Sequence, residues 1–532
     1  DFDPPSAVTC GALSTEPMRV LRGEVHLLPV DPERVETWRM TYDMVLERKE
    51  EEGGPVHFNG FKILHQQPGS HWWDDVTTLF VTLREGERGE GRLLAQGTLR
   101  LNLEDFLWQG SSVRLDCARG RLADLVNRVQ AASDAVKMLY MGRFAGFFGG
   151  VMFQAYGGML ADLKNFPAAP GARAPRRELK ANAPKTHEIA LPDGFKIKLT
   201  RYRGGAKGPV ILAPGFTVKA SSFAIDTVDQ NLVEYLCAHG YDVWLFDYRA
   251  SPDAGNLPTK AFTIDDIATT DWPRAIDFVL EETGAANLQV LAHCVGSMSL
   301  LMALLKVEGL KERVRSVISS ALTLHPVTNW LSYLKVDLDL VGMLDKMDEF
   351  KDGFNIVPRS GPDVPEFERK IDVVAWNVPV PDGEECKNPV CHRIFSIFGP
   401  SYTHSQLNNA THNAMGEMFG LISIPPFAQL SLIMERQQAV DHLGADTYLQ
   451  LAKDDGLALP ISFVTGALNR LFVPETVART HRWLKENGGG KYACHVFEGY
   501  AHMDMFIGRN AARDVYPYLL EQLEHPPGEG ER

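Results

Sequence analysis

Apolar and polar positions alternate in short runs along the first hundred residues. Met18–Val30, Trp38–Arg48, Val56–His65, Thr77–Arg84 and Arg92–Leu103 are rich in β-branched and aromatic side chains. Polar or Gly-rich stretches separate them, as at Glu51–Gly54, Gln67–Gly69 and Glu85–Glu90, which is the pattern of strands and turns. Short strands joined by short turns pair antiparallel, so residues 1–114 are predicted to form a small β-rich sandwich or barrel. From about Leu115 to Leu163 the spacing becomes helical, with Leu122, Leu125 and Val129 on one stripe that Ala135, Met138 and Leu139 continue. Phe166–Lys185 then carries four prolines and several basic residues. Residues 115–185 therefore read as a helical connector and a Pro-rich linker, and the main domain boundary falls there.

Beyond the linker, strands and helices alternate. Thr186–Ala190 and Phe195–Tyr202 flank Asp193-Gly194, a hairpin signal. Pro209–Ala213, Tyr241–Asp247, Leu288–Ala292 and Val314–Ser319 are short apolar runs of the kind buried in parallel sheets. One intervening helix ends at His239-Gly240, where glycine serves as a left-handed cap. Pro460–Thr465 and Tyr492–Phe497 resume the strand pattern. The succession predicts an α/β domain over 186–525, an open sheet with helices on both faces. The interval from about 322 to 457 is too long for one connection and reads as an inserted helical cap. Its apolar stretch Ile422–Ile433 suits either a lipid-facing wall or a helix-packing stripe.

Composition narrows the function classes. A hydrophobic fraction of 45% with 23% charged residues excludes a disordered, collagen-like or coiled-coil chain. A net charge of −14 opposes binding to nucleic acid or to an anionic lipid surface. Arg173–Lys180 is a short basic stretch within the linker. The uncharged stretch Phe144–Ala161 favours a buried or interface helix over an integral membrane span. The start, Asp1-Phe2-Asp3-Pro4-Pro5, has no initiator Met and no secretory h-region after it, so an intact secretory precursor is not expected. It fits a processed chain or the distal part of a longer polypeptide. Seven cysteines are few and odd in number, which predicts a reducing, cytoplasmic setting. Cys386 and Cys391 could form a local disulfide, but in that setting they are expected to stay free.

The central chemical signal is Leu288-Gln-Val-Leu-Ala-His293-Cys294-Val295-Gly296-Ser297 followed by the helical run Met298–Leu305. A strand, a tight turn and a helix with small residues two positions either side of a nucleophile make a nucleophile elbow. Cys294 occupies the nucleophile position, and the helix N-terminus behind it is expected to lower the thiol pKa. Leu212-Ala213-Pro214-Gly215-Phe216-Thr217 ends an early strand and can supply one backbone N–H of an oxyanion hole. Phe216 and Val295 are the predicted donors. Glu498-Gly499-Tyr500-Ala501-His502-Met503-Asp504 follows the last strand, and His502 is the predicted base. The turn Gly466–Pro474 puts Asn469 where the third member of a triad is expected, and an Asn can orient an imidazole. Asp504, or Asp337 or Asp339 after the Val314–Ser319 strand, are the alternatives. A buried structural Cys with a coincidental Gly two residues later is the alternative reading of Cys294 when its motif is taken alone. His293, His404 and His412 read as packing or surface residues, no metal is predicted, and no cofactor is expected.

The distal portion resembles an α/β hydrolase. Tyr500-Ala-His502-Met-Asp504 with Phe506, and the Gly466–Pro474 turn, are similar to motifs of the acid lipase group. Phe58-Asn-Gly-Phe-Lys62 and Trp73-Asp-Asp-Val-Thr-Thr-Leu-Phe80 resemble the β module of cholesterol-oxidase-like glucose–methanol–choline oxidoreductase fusions. In those a flavin domain, a β module and a hydrolase domain with a Cys elbow share one polypeptide. The flavin domain's Gly-x-Gly-x-x-Gly turn is not found here, so FAD is not carried over. The resemblance implies a bulky lipid- or sterol-like ester as substrate, and association with a flavin-dependent oxidoreductase as a partner. Acid lipases have Ser and Asp where this chain has Cys294 and Asn469. A Cys elbow on this fold also resembles polyhydroxyalkanoate synthases, which implies acyl transfer from thioesters.

Three functions follow. The first is cleavage of a bulky hydrophobic ester or thioester through an acyl-cysteine intermediate. The second is acyl transfer from a thioester, and the third a non-catalytic binding scaffold on a hydrolase fold. The β module offers no residue for chemistry, and Trp72-Trp73 reads as core packing ahead of a ligand anchor.

Overall fold

The structure, a computed structural model, describes residues 7–48, 53–65, 72–100, 176–256, 260–328, 354–358, 375, 380–452 and 456–528, apart from 9, 11, 12, 15 and 382. The predicted connector 115–163 with Phe144–Ala161, the linker before 176, Asp337, Asp339 and the side chains of Trp72 and Trp73 lie outside the described residues. Two compact units divide the chain, Asp1–Pro32 with Glu36–Phe166, and Glu33–Val35 with Pro167–Arg532.

In the first unit six strands pair in chain order: β1 (Ala7–Val8), β2 (Met18–His26), β3 (Trp38–Glu47), β4 (Val56–Leu64), β5 (Thr78–Glu85) and β6 (Leu93–Arg100). All pairs are antiparallel. Period-2 patterning puts Met18, Met44, Leu46, Val56, Phe58, Val81 and Leu83 into one apolar cluster. The described strands make a single open meander, with β1 and β6 at its edges, rather than a sandwich or a closed barrel. Turns this short let each strand reach only its chain neighbour.

The second unit is built on eight strands: β7 (Lys185–Ala190), β8 (Lys196–Arg203), β9 (Pro209–Ala213), β10 (Asp242–Asp247), β11 (Leu288–His293), β12 (Val314–Ser320), β13 (Ile461–Gly466) and β14 (Tyr492–Phe497). Their order is β14-β13-β12-β11-β9-β10-β8-β7. β7 and β8 form the antiparallel hairpin around Asp193-Gly194, and β8 runs antiparallel to β10. The other pairs are parallel. Every residue of β9, β10, β11 and β13 is buried, which is why these strands read as continuous apolar runs. The chain leaves β9 for β10 on one side and returns to β11 on the other. This reversal opens a crevice at the C-terminal ends of β9 and β11.

Helices α1 (Leu232–Ala238), α2 (Trp272–Thr283) and α3 (Val295–Lys306) follow β9, β10 and β11. Residues Val295 to Leu304 of α3 are all buried, so this helix is covered around its whole circumference and belongs to the core. Between β12 and β13 the described residues include helices α4 (Pro389–Ile397) and α5 (Ile424–Arg436) and a two-residue strand pair, Phe354–Asn355 with Leu421–Ile422.

One buried ion pair fastens the β10 end of this unit. Arg249 donates from Nη2 and Nε to Asp271 Oδ1 at 2.6 and 2.8 Å, and its backbone N–H reaches Oδ2 at 2.9 Å. Both side chains are at most 1% exposed. Asp271→Ala would leave the buried guanidinium with only the half-exposed Asp193, 2.8 Å from Nη1, at a cost of up to about 3–5 kcal/mol. We expect a large drop in the urea midpoint for that variant and recovery of most of it in Arg249→Met/Asp271→Leu. A wild-type midpoint in Asp271→Ala would contradict this account.

Candidate active site

Cys294 sits between β11 and α3 at φ +54°, ψ −127°. A non-glycine residue there is strained by about 1–3 kcal/mol, and the strain lifts the side chain out of the line of strand and helix. The turn closes because residue 296 is glycine. A Cβ on Gly296 would lie 2.4 Å from the Pro214 carbonyl oxygen. β9 pairs in parallel with β11, Ala213 opposite Ala292, so the Pro214–Phe216 loop emerges beside the elbow. Tyr248 steadies that loop by donating to the Pro214 carbonyl at 3.2 Å.

The backbone amides of Phe216 and Val295 both favour the thiolate form of Cys294, which places them on the sulfur's side of the elbow. These are the two donors the sequence nominates for an oxyanion hole. The effect on acidity differs from the sequence expectation. Burial pushes the Cys294 thiol up to about 12, outweighing both amides. In a site where the residue is 7% exposed, desolvation of a thiolate exceeds what the helix end returns.

His502 lies on the loop after β14, and Asn469 on the loop after β13. These loops are joined by Leu468 N–H donating to the Tyr500 carbonyl at 2.8 Å and Ala467 N–H to the Phe497 carbonyl at 2.9 Å. Gly466 permits the approach, since a Cβ there would stand 2.1 Å from the Tyr500 oxygen. Asn469 and His502 meet, with Nδ2 to Nδ1 at 3.2 Å. The polarity of that contact follows from the other end of the amide. Asn469 Oδ1 accepts the backbone N–H groups of Leu471 and Phe472, each at 3.1 Å, and Nδ2 also donates to Thr465 Oγ1 at 3.2 Å. The amide therefore presents N–H to the imidazole, Nδ1 is an acceptor, and the neutral ring carries its proton on Nε2. Burial holds His502 down to about 3, so the ring is neutral. Among the described residues no hydrogen bond joins the Cys294 sulfur to His502.

Asp504, the alternative third member, takes neither ring nitrogen. Its carboxylate accepts Thr403 N–H and Oγ1–H at 2.9 Å each and Ala501 N–H at 2.7 Å, bracing the histidine loop.

Two residues of the site went unnoticed as such in the sequence. His293, read as packing or surface, is buried with its ring centroid 4.4 Å from that of His502. Its Nδ1 pairs with Ser320 Oγ at 3.1 Å, and its Nε2 has no hydrogen-bond partner. Thr217, next to Phe216, is buried at φ +58° with an unpartnered Oγ1. A β-branched residue in the left-handed region is unusual, and no local pattern announces it. Phe427 of α5 stacks on Phe216 at 6.3 Å, and Phe398 packs edge-on to Phe427 at 6.0 Å, so cap aromatics pack on the residue that follows Gly215 at the elbow. Elsewhere in the same unit the ligand atoms of Cys386, Cys391, His404 and His412 lie within 4.8 Å of one another. This corrects the reading of His404 and His412 as surface or packing residues without a Cys at metal distance.

A family model described as the alpha/beta hydrolase fold matches residues 208–347. Human gastric triacylglycerol lipase is 27% identical over 148 residues, 24% of this chain and 37% of the lipase. Triacylglycerol lipase 2 of Arabidopsis thaliana is 28% identical over 166 residues, 28% of this chain and 38% of that protein. Human lysosomal acid lipase/cholesteryl ester hydrolase is 26% identical over 143 residues, 24% of this chain and 36% of that protein. The chain thus spans little more than a third of the length of these relatives. Among solved structures, a Pyrococcus furiosus esterase aligns at TM-score 0.37 and 14% identity, covering 66% of this chain and 96% of its own. The matched segment begins at β9 and includes the elbow, and with the strand order it identifies the second unit as an α/β-hydrolase fold.

Proposed function

We propose that this protein is a hydrolase of esters or thioesters with bulky apolar acyl groups, acting through an acyl-Cys294 intermediate. The observation that carries the reading is the sulfur at the strained elbow with two convergent backbone amides. A carbonyl entering there would meet a nucleophile and two N–H donors together. The Phe216, Phe398 and Phe427 rings favour an apolar acyl chain. Relatives named for triacylglycerol and cholesteryl esters agree with a lipid substrate, and the β module's likeness to cholesterol-oxidase-like fusions adds the sterol option and a flavin-dependent oxidoreductase as partner. The free thiols suit a reducing, cytoplasmic setting.

In the proposed cycle Sγ attacks the acyl carbonyl, the Phe216 and Val295 amides take the oxyanion, and the thiol proton passes to His502. The imidazole then protonates the leaving alcohol or thiol, and water releases the acid from Cys294. For His502 to accept on Nε2, its proton must sit on Nδ1, where Asn469 now presents N–H. The Asn469 orientation therefore restrains base catalysis and with it the attack of water. That restraint favours transfer to an acceptor more nucleophilic than water as the second reading.

Cys294→Ala is expected to abolish turnover of acyl thioesters and aryl esters while leaving the thermal transition intact. Turnover persisting in that variant would end the acyl-cysteine reading. Assays with and without an alcohol or thiol acceptor separate hydrolysis from transfer.

Asn469→Asp supplies a carboxylate that can keep one oxygen on the Leu471 and Phe472 amides and accept Nδ1–H with the other. We expect kcat/KM for hydrolysis to rise by at least about tenfold. A fall in a folded variant would mean that the amide's present polarity serves the reaction.

A thiol held near 12 alkylates slowly at neutral pH. Iodoacetamide labelling of Cys294, read by peptide mass spectrometry, should climb about tenfold per pH unit across the range in which the protein stays folded. A plateau near neutrality would reveal an activated thiolate instead.

A further inference from the structure

Away from the elbow, three segments of the second unit bring four soft or borderline donors together. Cys386 precedes α4 and Cys391 lies in its first turn, His404 sits in the turn His404–Gln406, and His412 lies on the short helix Asn409–Asn413. Their ligand atoms are all within 4.8 Å of one another. Cys391 Sγ lies 3.4 Å from His404 Nε2, and the His404 and His412 rings stand perpendicular with centroids 4.8 Å apart. Tetrahedral zinc with bonds of roughly 2.0–2.3 Å has ligand–ligand edges of roughly 3.3–3.8 Å, so the measured edge already matches and the longest needs a contraction of only about 1 Å. We propose that Cys386, Cys391, His404 and His412 form a structural zinc site.

The donor chemistry selects the ion. Two thiolates and two imidazoles favour zinc over magnesium or calcium, which take oxygen ligands. Two thiolates also neutralise the dication, giving a site of zero net charge suited to a buried position. Binding converts both thiols to thiolates and releases their two protons to solvent, with no change of oxidation state. Both cysteines are free thiols here, so neither is spent in a disulfide.

The surroundings are arranged as an outer shell would be. Glu384 Oε2 accepts the His404 backbone N–H at 2.8 Å and stands 3.2 Å from His404 Nδ1, which places a carboxylate beside the imidazole while Nε2 faces Cys391. Asn388 caps α4 through Val390 N–H at 3.0 Å and donates to the His412 carbonyl at 2.8 Å, linking the first ligand segment to the last. His392 Nε2 lies 2.7 Å from the Cys386 carbonyl, tying α4 to the segment that carries the first ligand. The intervals Cys-x4-Cys-x12-His-x7-His match no common finger pattern, which is why the cluster is invisible along the chain.

The test is metal analysis of the full-length protein, purified under reducing conditions, depleted with a chelator and reconstituted with zinc or cobalt. We expect about one zinc per chain by mass spectrometry. The cobalt form should show intense visible d–d bands of a tetrahedral site and thiolate-to-cobalt charge transfer. Cys391→Ser and His412→Asn should each lower the zinc content to below about 0.2 per chain, while Cys494→Ser leaves it unchanged. The cobalt spectrum of the wild-type chain keeps the test decisive if the variants fold poorly. Failure to bind either metal, a spectrum without thiolate charge transfer, or undiminished zinc in Cys386→Ser/Cys391→Ser would overturn the site. None of these readouts depends on Cys294 chemistry, so the zinc site and the acyl-cysteine reading can fail separately.

Discussion

The parallel pairing of β9 with β11 is the constraint on which the candidate site depends. Ala213 opposite Ala292 sets two strand ends level at the point where the sheet's connectivity reverses. Only then does the Phe216 amide, three residues past β9, converge with the Val295 amide at the start of α3. A slip of one residue would carry the loop about 3.3 Å along the strand axis and take one donor away from the sulfur. The small residues are part of the same requirement, because Gly296 lies where any side chain would strike the Pro214 carbonyl.

Burial then sets the electrostatics. The same exclusion of water that raises the Cys294 thiol lowers His502, so the resting pair is a neutral thiol and a neutral imidazole. Asn469 continues this pattern, since an amide adds no charge where a carboxylate would have to be desolvated. The arrangement is costly for a thiolate at rest but strengthens the pull of two fixed amides on an oxyanion formed in the same low-dielectric space. Where a carboxylate would stabilise an imidazolium, the Asn469 N–H opposes one. The difference between this chain and a Ser-His-Asp hydrolase thus lies in which charges the site tolerates, as well as in the residue at the elbow.

Much of this was legible in the sequence, because strands buried on both faces and a strand–turn–helix with small flanking residues leave local traces. The strand runs, the Asp193-Gly194 hairpin and the interval between β12 and β13 all rest on such local signals. The polarity of Asn469 does not, since it is decided by amides two and three residues further on that point back at its oxygen. The thiol pKa depends on how much protein covers Cys294, and a helix N-terminus alone does not report that. His293 reads as packing in the sequence because its contact with His502 joins the end of β11 to a loop about two hundred residues further along the chain. The Cys386–His412 cluster escaped for a related reason, its ligands being gathered by folding rather than by sequence spacing.

The cap is also tied to the histidine loop in a way that bears on how the site would work. Met503 N–H donates to the Ser401 carbonyl at 2.8 Å, and Asp504 holds both Thr403 donors. On the other side Gln429 of α5 accepts the Ile264 N–H at 2.7 Å and donates to Asp265 at 3.0 Å. Segments on both sides of the described cap are thereby fastened to loops of the sheet domain. Opening it as a rigid lid would break these bonds together, each worth roughly 0.5–1.5 kcal/mol and more where a carboxylate is involved. For the proposed activity, a fixed aromatic wall is therefore a better physical match to the described cap than closure of a lid. A wall of that kind would also keep the two amides where the proposed oxyanion needs them, with no reorganisation to make.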